Sequence, residues 1–255
     1  MFSLAGDRLF FQRQAYGATV PVLMMTEGRT TRVLLDPAAL TGQEHSHLDW
    51  FAPSPDGTRP EAFFTLSSWI HAPRLYRYDG VTVGDTGWLP PSAADFSGIV
   101  VSDLRVPARD GTLIPLRVVH KAGLILDGSS PAILSGYGSY AVLSFWGFVP
   151  EMLAWYERGG IYADAGLRGG GEYGREWHEA GSGPRKENTI TDFIDCAEYL
   201  VDRGYTRPGR LAGQGASAGG VPVGGALVRG QAAADDAAIF FLAFRLTKLF
   251  SLDET

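Results

Sequence analysis

The sequence predicts an α/β chain, with a mostly parallel, helix-covered sheet in its second half and a small antiparallel β segment before it. Three observations predict this. From Pro131 onward, strand-like and helix-like runs alternate, and that alternation makes a parallel sheet covered on both faces. Before it, short segments of alternating apolar and polar residues are separated by turn residues, as in an antiparallel meander. Late in the chain, Gly215-Ala216-Ser217-Ala218-Gly219 fits G-x-S-x-G, a strand-to-helix turn that lifts a serine out of a sheet.

In chain order, Arg8–Arg13, Pro21–Met25 and Arg32–Leu35 read as strands, and so do Ala62–Leu66 and Pro73–Tyr78. Pro53-Ser54-Pro55-Asp56-Gly57 is a turn between two strands. Pro90-Pro91-Ser92 marks a boundary. Beyond it, Ile99–Val106 and Leu113–Val119 form a hairpin around the Asp110-Gly111 turn. Ala132–Leu134 is a strand, Val149–Arg158 a short helix and Gly160–Ala165 a strand. The clearest helix is Glu187–Arg203, where Ile190, Phe193, Ile194, Ala197, Leu200 and Val201 share one face. Thr189 with Asp192 resembles a capping box at its start, and Gly204 supplies its stop. Arg210–Gly213 is the strand that enters the serine turn.

Composition bounds the partners. The 255 residues are 45% hydrophobic, enough for a real core, and the net charge of −6 with both signs interspersed argues against nucleic acid or an anionic membrane. A single cysteine, Cys196, excludes an internal disulfide framework and reads as helix packing. The first residues lack the basic and apolar regions of a secretory signal, so the expectation is a cytoplasmic protein. No apolar run reaches the length of a membrane span.

The serine turn carries the chemistry. Glycines flank Ser217 because a Cβ there would collide with the neighbouring strand or helix. The N–H of Ala218 points into the same space as the hydroxyl, so one turn supplies a nucleophile and half an oxyanion hole. Two other readings stay open on the string alone. One is a glycine-serine turn without chemistry. The other is a dinucleotide loop, since Gly213, Gly215 and Ala218 fit G-x-G-x-x-[GA], although an alanine-rich run stands where that loop needs its second strand.

A serine nucleophile needs a histidine base oriented by an acid, and on this kind of fold both follow the serine in the chain. Residues 218–255 contain Asp235, Asp236, Asp253 and Glu254 but no histidine. His45 and His47 read as loop residues rather than a metal pair, His71 and His120 as structural, and His178 as a weak candidate base. The pattern calls for no cofactor and no metal.

Three blocks carry a resemblance. Leu167-Arg168-Gly169-Gly170-Gly171-Glu172-Tyr173-Gly174-Arg175-Glu176-Trp177-His178 closely resembles a signature of the prolyl oligopeptidase family. The run Asp192–Leu200 with Gly204-Tyr205-Thr206 also resembles it, and the serine turn follows at the family's spacing. The likeness is close from about Ile99 to about Leu227. It implies an α/β-hydrolase-type peptidase domain capped by a β-propeller, acting on short peptides through an acyl-enzyme. Ser217 matches the family's nucleophile, and Tyr137 matches the tyrosine whose hydroxyl joins the Ala218 N–H in the oxyanion hole. The triple glycine reads as close-packed backbone, and Glu172 and Arg175 as structural.

Departures accompany the likeness. Residues 7–57 resemble a first propeller blade and 61–97 a last one, with a join near Thr58-Arg59-Pro60 and the blades between them missing. The family's acid, histidine and proline-selective residues lie in sequence this chain lacks, and the tail from about Arg229 is unlike the family. The expected organisation is therefore residues 1–97 as an antiparallel remnant of a propeller, 98–230 as an incomplete α/β-hydrolase-type core, and 231–255 as a divergent tail. Three functional readings follow: a serine peptidase of this family with little or no activity of its own, a carboxylesterase on the same domain, or a non-catalytic remnant. The oligomeric state is not specified by the sequence.

Overall fold

The computed structural model describes residues 2–14, 20–42, 46–54, 61–143 and 147–230. The join at Thr58–Pro60, His45 and the tail 231–255 lie outside the described residues. The chain divides into two compact units. One runs through residue 101 and takes in 119–122 and 145–158; the other is made of 102–118, 123–144 and the chain from 159 onward.

The first unit holds two four-stranded antiparallel sheets. β1 (Phe2–Ala5), β2 (Arg8–Arg13), β3 (Val22–Glu27) and β4 (Thr30–Leu35) form the first, in that order. A short helix α1 (Pro37–Thr41) follows, with the Asp36 carboxylate accepting from the Ala38 N–H at 3.0 Å and Gly42 closing it at φ 69°. β5 (His47–Pro53), β6 (Ala62–Ser67), β7 (Arg74–Tyr78) and β8 (Val83–Asp85) form the second sheet. Phe10, Leu23 and Met25 of the first sheet and Phe51, Phe64 and Leu66 of the second bury into one core.

The boundary between the sheets differs from the sequence expectation. β5 pairs with β6, not with the sheet formed by residues 2–35. The register explains why: Leu48 lies opposite Leu66 and Phe51 opposite Phe64, which puts all four on the buried face.

In the second half, β9 (Ile99–Pro107) and β10 (Leu113–Lys121) meet at the Asp110-Gly111 turn, closed by the Gly111 N–H to Ala108 carbonyl bond of 2.8 Å with Gly111 at φ 84°. β11 (Ala132–Gly136) follows. The helix α2 (Leu153–Glu157) belongs to the first unit, where Tyr156 meets Phe96 edge-on. Then come β12 (Ile161–Ala165), α3 (Arg175–Ala180), α4 (Lys186–Asp202), β13 (Leu211–Gln214) and α5 (Gly220–Gly230). The sheet order is β13-β11-β12-β10-β9, with β11 parallel to both of its neighbours. Leu116, Leu134, Ile161, Phe193, Cys196 and Leu200 are part of the core of this unit.

Of the helical face read from the sequence, Phe193 and Leu200 are buried and Ile190, Ile194, Ala197 and Val201 half-buried, while Thr189, Asp192, Asp195 and Cys196 complete the buried side; Gly204 at φ 75° ends α4, with the Tyr205 N–H bonded to the Leu200 carbonyl at 2.9 Å. The capping box does not form. α4 starts three residues before Thr189, out of the Gly183-Pro184-Arg185 turn, and its N-cap makes no side-chain bond. Thr189 and Asp192 are fully buried inside the helix, and their side chains bond Arg168 instead. α3 carries too few residues for a periodic signal and was not expected from the sequence.

Candidate active site

β13 ends at Gln214, beside Ser135 of β11. The chain then turns through Gly215 and Ala216 into a single 3-10 turn, Ser217–Gly219, that leads directly into α5. Ser217 is exposed and holds φ 53°, a left-handed conformation that costs an L-residue about 1–2 kcal/mol. The two glycines are required by contact. A Cβ on Gly215 would sit 2.2 Å from the Gly219 carbonyl oxygen, and one on Gly219 would sit 2.6 Å from the Gly136 carbonyl oxygen at the end of β11. Any side chain at either position would push the turn off the sheet.

Tyr137 is the residue after β11. Its Cα and ring edge are the next atoms around Gly219, each 3.5 Å from where a Cβ there would lie. Ser217, Ala218 and Tyr137 thus stand at the carboxyl ends of two adjacent parallel strands, where open α/β sheets place their sites. The Ala218 N–H belongs to the first turn of a helical segment, where N–H groups have no partner within the helix.

The loop behind Tyr137 is held from two sides. Lys186 donates from Nζ to the Gly138 carbonyl at 2.5 Å and to Ser139 Oγ at 2.7 Å, and burial pushes its ammonium below the usual lysine range. Gly138, at φ 61°, leaves no room for a side chain against Thr189 and Leu167. Behind this loop, the buried Arg168 donates from its backbone N–H and from Nε to Asp192, and from Nη1 to Asp110. Sequence reading missed Lys186 and this ion cluster. The only signal was the triple glycine, and it acts as expected: Cβ atoms on Gly169 and Gly171 would fall 2.2 and 2.4 Å from the carbonyl oxygens of Gly138 and Ala141.

Partial burial pushes the Asp110 carboxyl up, but hydrogen bonds from Arg168 and Thr112 outweigh it and hold the pKa down to about 2. Because the folded pKa lies below the unfolded one, this contribution to stability is complete above pH ~4 and is lost as pH falls toward ~2. Asp110→Asn is therefore expected to flatten part of the acid limb of stability against pH. Chemical denaturation across that range checks it, and an unchanged limb would count against the pairing.

Among the described residues, the histidines do not complete the site. His178 Nδ1 lies 2.7 Å from the Gly169 carbonyl and 3.0 Å from the Ala141 N–H, so it braces the glycine loop. His71 bonds Ser68 and His120 bonds the Lys121 carbonyl. His47 lies in β5, not in a loop, where Asp49 Oδ1 at 2.6 Å and Ser67 Oγ at 3.2 Å meet the same ring nitrogen. A catalytic triad needs the acid and the serine on opposite ring nitrogens, so this trio is a strand tether.

Residues 146–234 match the prolyl oligopeptidase family. The prolyl endopeptidase of Elizabethkingia meningoseptica is 36% identical over 169 residues, 66% of this chain and 24% of that protein. The chain belongs to the prolyl oligopeptidase family. Within the family, the dual function macrocyclase-peptidase of Amanita bisporigera is 38% identical over 178 residues, 67% of this chain and 24% of that protein. Among solved structures, prolyl oligopeptidase B of Galerina marginata, bound to a 25mer macrocyclization substrate, superposes with a TM-score of 0.76 at 26% identity. That match covers 90% of this chain and 32% of the other. The chain thus spans about a quarter of the length of the curated family members it matches.

Proposed function

We propose that Ser217 is the nucleophile of a serine peptidase site for short peptides, with the Tyr137 hydroxyl and the Ala218 N–H as oxyanion donors. The observation that carries this reading is Ser217 itself: an exposed hydroxyl on a left-handed backbone at the carboxyl end of a parallel strand. Backbone strain of this kind at an exposed polar residue marks functional positions. Ser217 Oγ would attack the peptide carbonyl carbon, the carbonyl oxygen would take the negative charge between the two donors, and the hydroxyl proton would pass to the peptide nitrogen as its C–N bond breaks, so that the amine leaves and an acyl-enzyme remains. Water would release the acid. α5 starts immediately behind the serine, so its positive end also favours that charge. Solved relatives bound to peptide substrates support the substrate class.

A second reading, a non-catalytic chain, is favoured by one observation: among the described residues, His47, His71, His120 and His178 are each bonded to groups other than Ser217. A serine without its base retains only the contribution of binding and oxyanion stabilisation. Labelling with a fluorophosphonate is therefore expected to be slower than in an intact serine hydrolase by about 10³-fold or more, and absent in Ser217→Ala. Tyr137→Phe is expected to lower the residual rate about 10²-fold further. Equal labelling of Ser217→Ala would remove the nucleophile assignment, and labelling at the rate of an intact hydrolase would remove the non-catalytic reading.

A further inference from the structure

Three of the four residues after Tyr137 hold left-handed backbone: Gly138 at φ 61°, Tyr140 at 57° and Ala141 at 53°. Glycine takes that conformation freely, but Tyr140 and Ala141 do so only under strain. Such strain persists where the surrounding bonds over-determine it. At the far end of the loop, the Ala141 N–H reaches the Gly169 carbonyl at 3.2 Å and His178 Nδ1 at 3.0 Å. At the end next to Tyr137, the side chain that holds the loop is Lys186, through the Gly138 carbonyl and Ser139 Oγ. Lysine is a costly brace here. It is half-buried, both of its acceptors are neutral, and it forms no ion pair among the described residues; Glu187, beside it in the chain, pairs with Arg229. Taking an ammonium out of water without a carboxylate partner costs stability, and burial accordingly pushes this one below the usual lysine range. An apolar stem would fill the space without that cost. What the ammonium adds is a charge-assisted bond, stronger than a neutral one, on the residue that follows Tyr137.

We propose that Lys186 is a positioning residue for the oxyanion site: by clamping the Gly138 carbonyl and Ser139 Oγ, it sets the direction in which the Tyr137 side chain leaves the end of β11. The proposal rests on the reading of Ser217 and Tyr137 given above. Upstream of Tyr137, β11 holds Gly136 in register with Ala165 of β12. Downstream, Lys186 holds Gly138. Tyr137 is therefore the single residue between two fixed points, and its ring edge lies beside Gly219, two residues after the serine. Movement of the Gly138 carbonyl turns the Tyr137 backbone, and the phenol oxygen, at the far end of the side chain, moves most. An oxyanion donor works only at hydrogen-bond distance from the charge it meets, so an error of about 1 Å there is expensive. Lys186 reaches the reaction through Tyr137 and has no contact of its own with the substrate in this scheme.

A double-mutant cycle on the full chain tests this, with the rate of fluorophosphonate labelling at Ser217 as one readout and the spectrum of the protein carrying ring-13C tyrosine as the other. Lys186→Met keeps the stem and removes the donors. It is expected to lower the labelling rate about tenfold in the wild-type background and to leave it unchanged in Tyr137→Phe, because the lysine acts through that hydroxyl. The Tyr137 ring resonance, identified by its disappearance in Tyr137→Phe, should shift in Lys186→Met. Ser139→Ala removes one acceptor and little volume, so it serves as a second variant if Lys186→Met does not fold; a smaller loss in the same direction is expected, again absent in Tyr137→Phe. A merely structural lysine would lower the rate by the same factor in both backgrounds, and that result would overturn the proposal. So would an unshifted Tyr137 resonance, or a wild-type labelling rate in both Lys186→Met and Ser139→Ala. Wild-type labelling no faster than that of Ser217→Ala is a different failure: it removes the nucleophile assignment, and the proposal with it.

Discussion

Replacing Asp192 with alanine is expected to cost about 3–5 kcal/mol of stability, the range for breaking a buried ion pair by removing one partner. Asp192 has no exposed surface, and Arg168 is itself buried. Arg168 donates to Asp192 from its backbone N–H at 3.0 Å and from Nε at 2.9 Å, with a further short bond from Nη2. Without the carboxylate, a buried guanidinium keeps one carboxylate, Asp110, whose side chain is half exposed, and a long bond to Thr112 Oγ1 at 3.4 Å. The cost then lies in the uncompensated charge, not in the lost attraction. The double variant Arg168→Met with Asp192→Leu removes both charges and fills similar volume, so it should recover most of the loss. Urea denaturation of the two singles and the double measures this. A loss below about 1 kcal/mol in Asp192→Ala would show that the pair is not sealed from water.

Alanine at Gly169 should be similarly severe, costing more than about 4 kcal/mol, because backbone geometry and space fail together. Gly169 holds φ 98°, and a Cβ there would lie 2.2 Å from the Gly138 carbonyl oxygen and 2.9 Å from that of Gly181. Both obstacles are backbone, and Gly138 is fixed in turn by Lys186. Gly123 provides the comparison: it holds φ 80° with nothing within 4 Å of a Cβ, so Gly123→Ala should cost about 1–2 kcal/mol from the backbone alone. Equal losses at the two positions would mean that the Gly138 segment yields easily, and the tight support of the Tyr137 loop would be wrong.

Local features were legible where their cause is local. The Asp110-Gly111 hairpin, the apolar stripe of α4, its Gly204 stop and the Ser217 turn all follow from the conformations those residues allow. The capping box failed because Thr189 and Asp192 are ordinary cap residues by type, and only their distance from Arg168 reveals another use. The turn after Pro53 does join two paired strands, β5 and β6, but the boundary between the sheets was not legible there, because hydrophobic alternation does not say which sheet a strand joins. Lys186 was invisible because its partner is a backbone carbonyl 48 residues away.

The sequence by itself determined that a serine would be raised on a tight strand-to-helix corner, because the glycines on both sides permit that corner and nothing bulkier does. Only the tertiary structure decided what surrounds it: which strand end carries Tyr137 beside it, and which buried ions brace the loop behind. The same division holds for the two small sheets. Their strands can be read from the sequence, but which residues face the shared core emerges only once pairing assigns each residue to a side. Turns depend on torsions that neighbouring residues set, whereas packing depends on contacts between residues far apart in the chain, and one-dimensional patterning records the first but not the second.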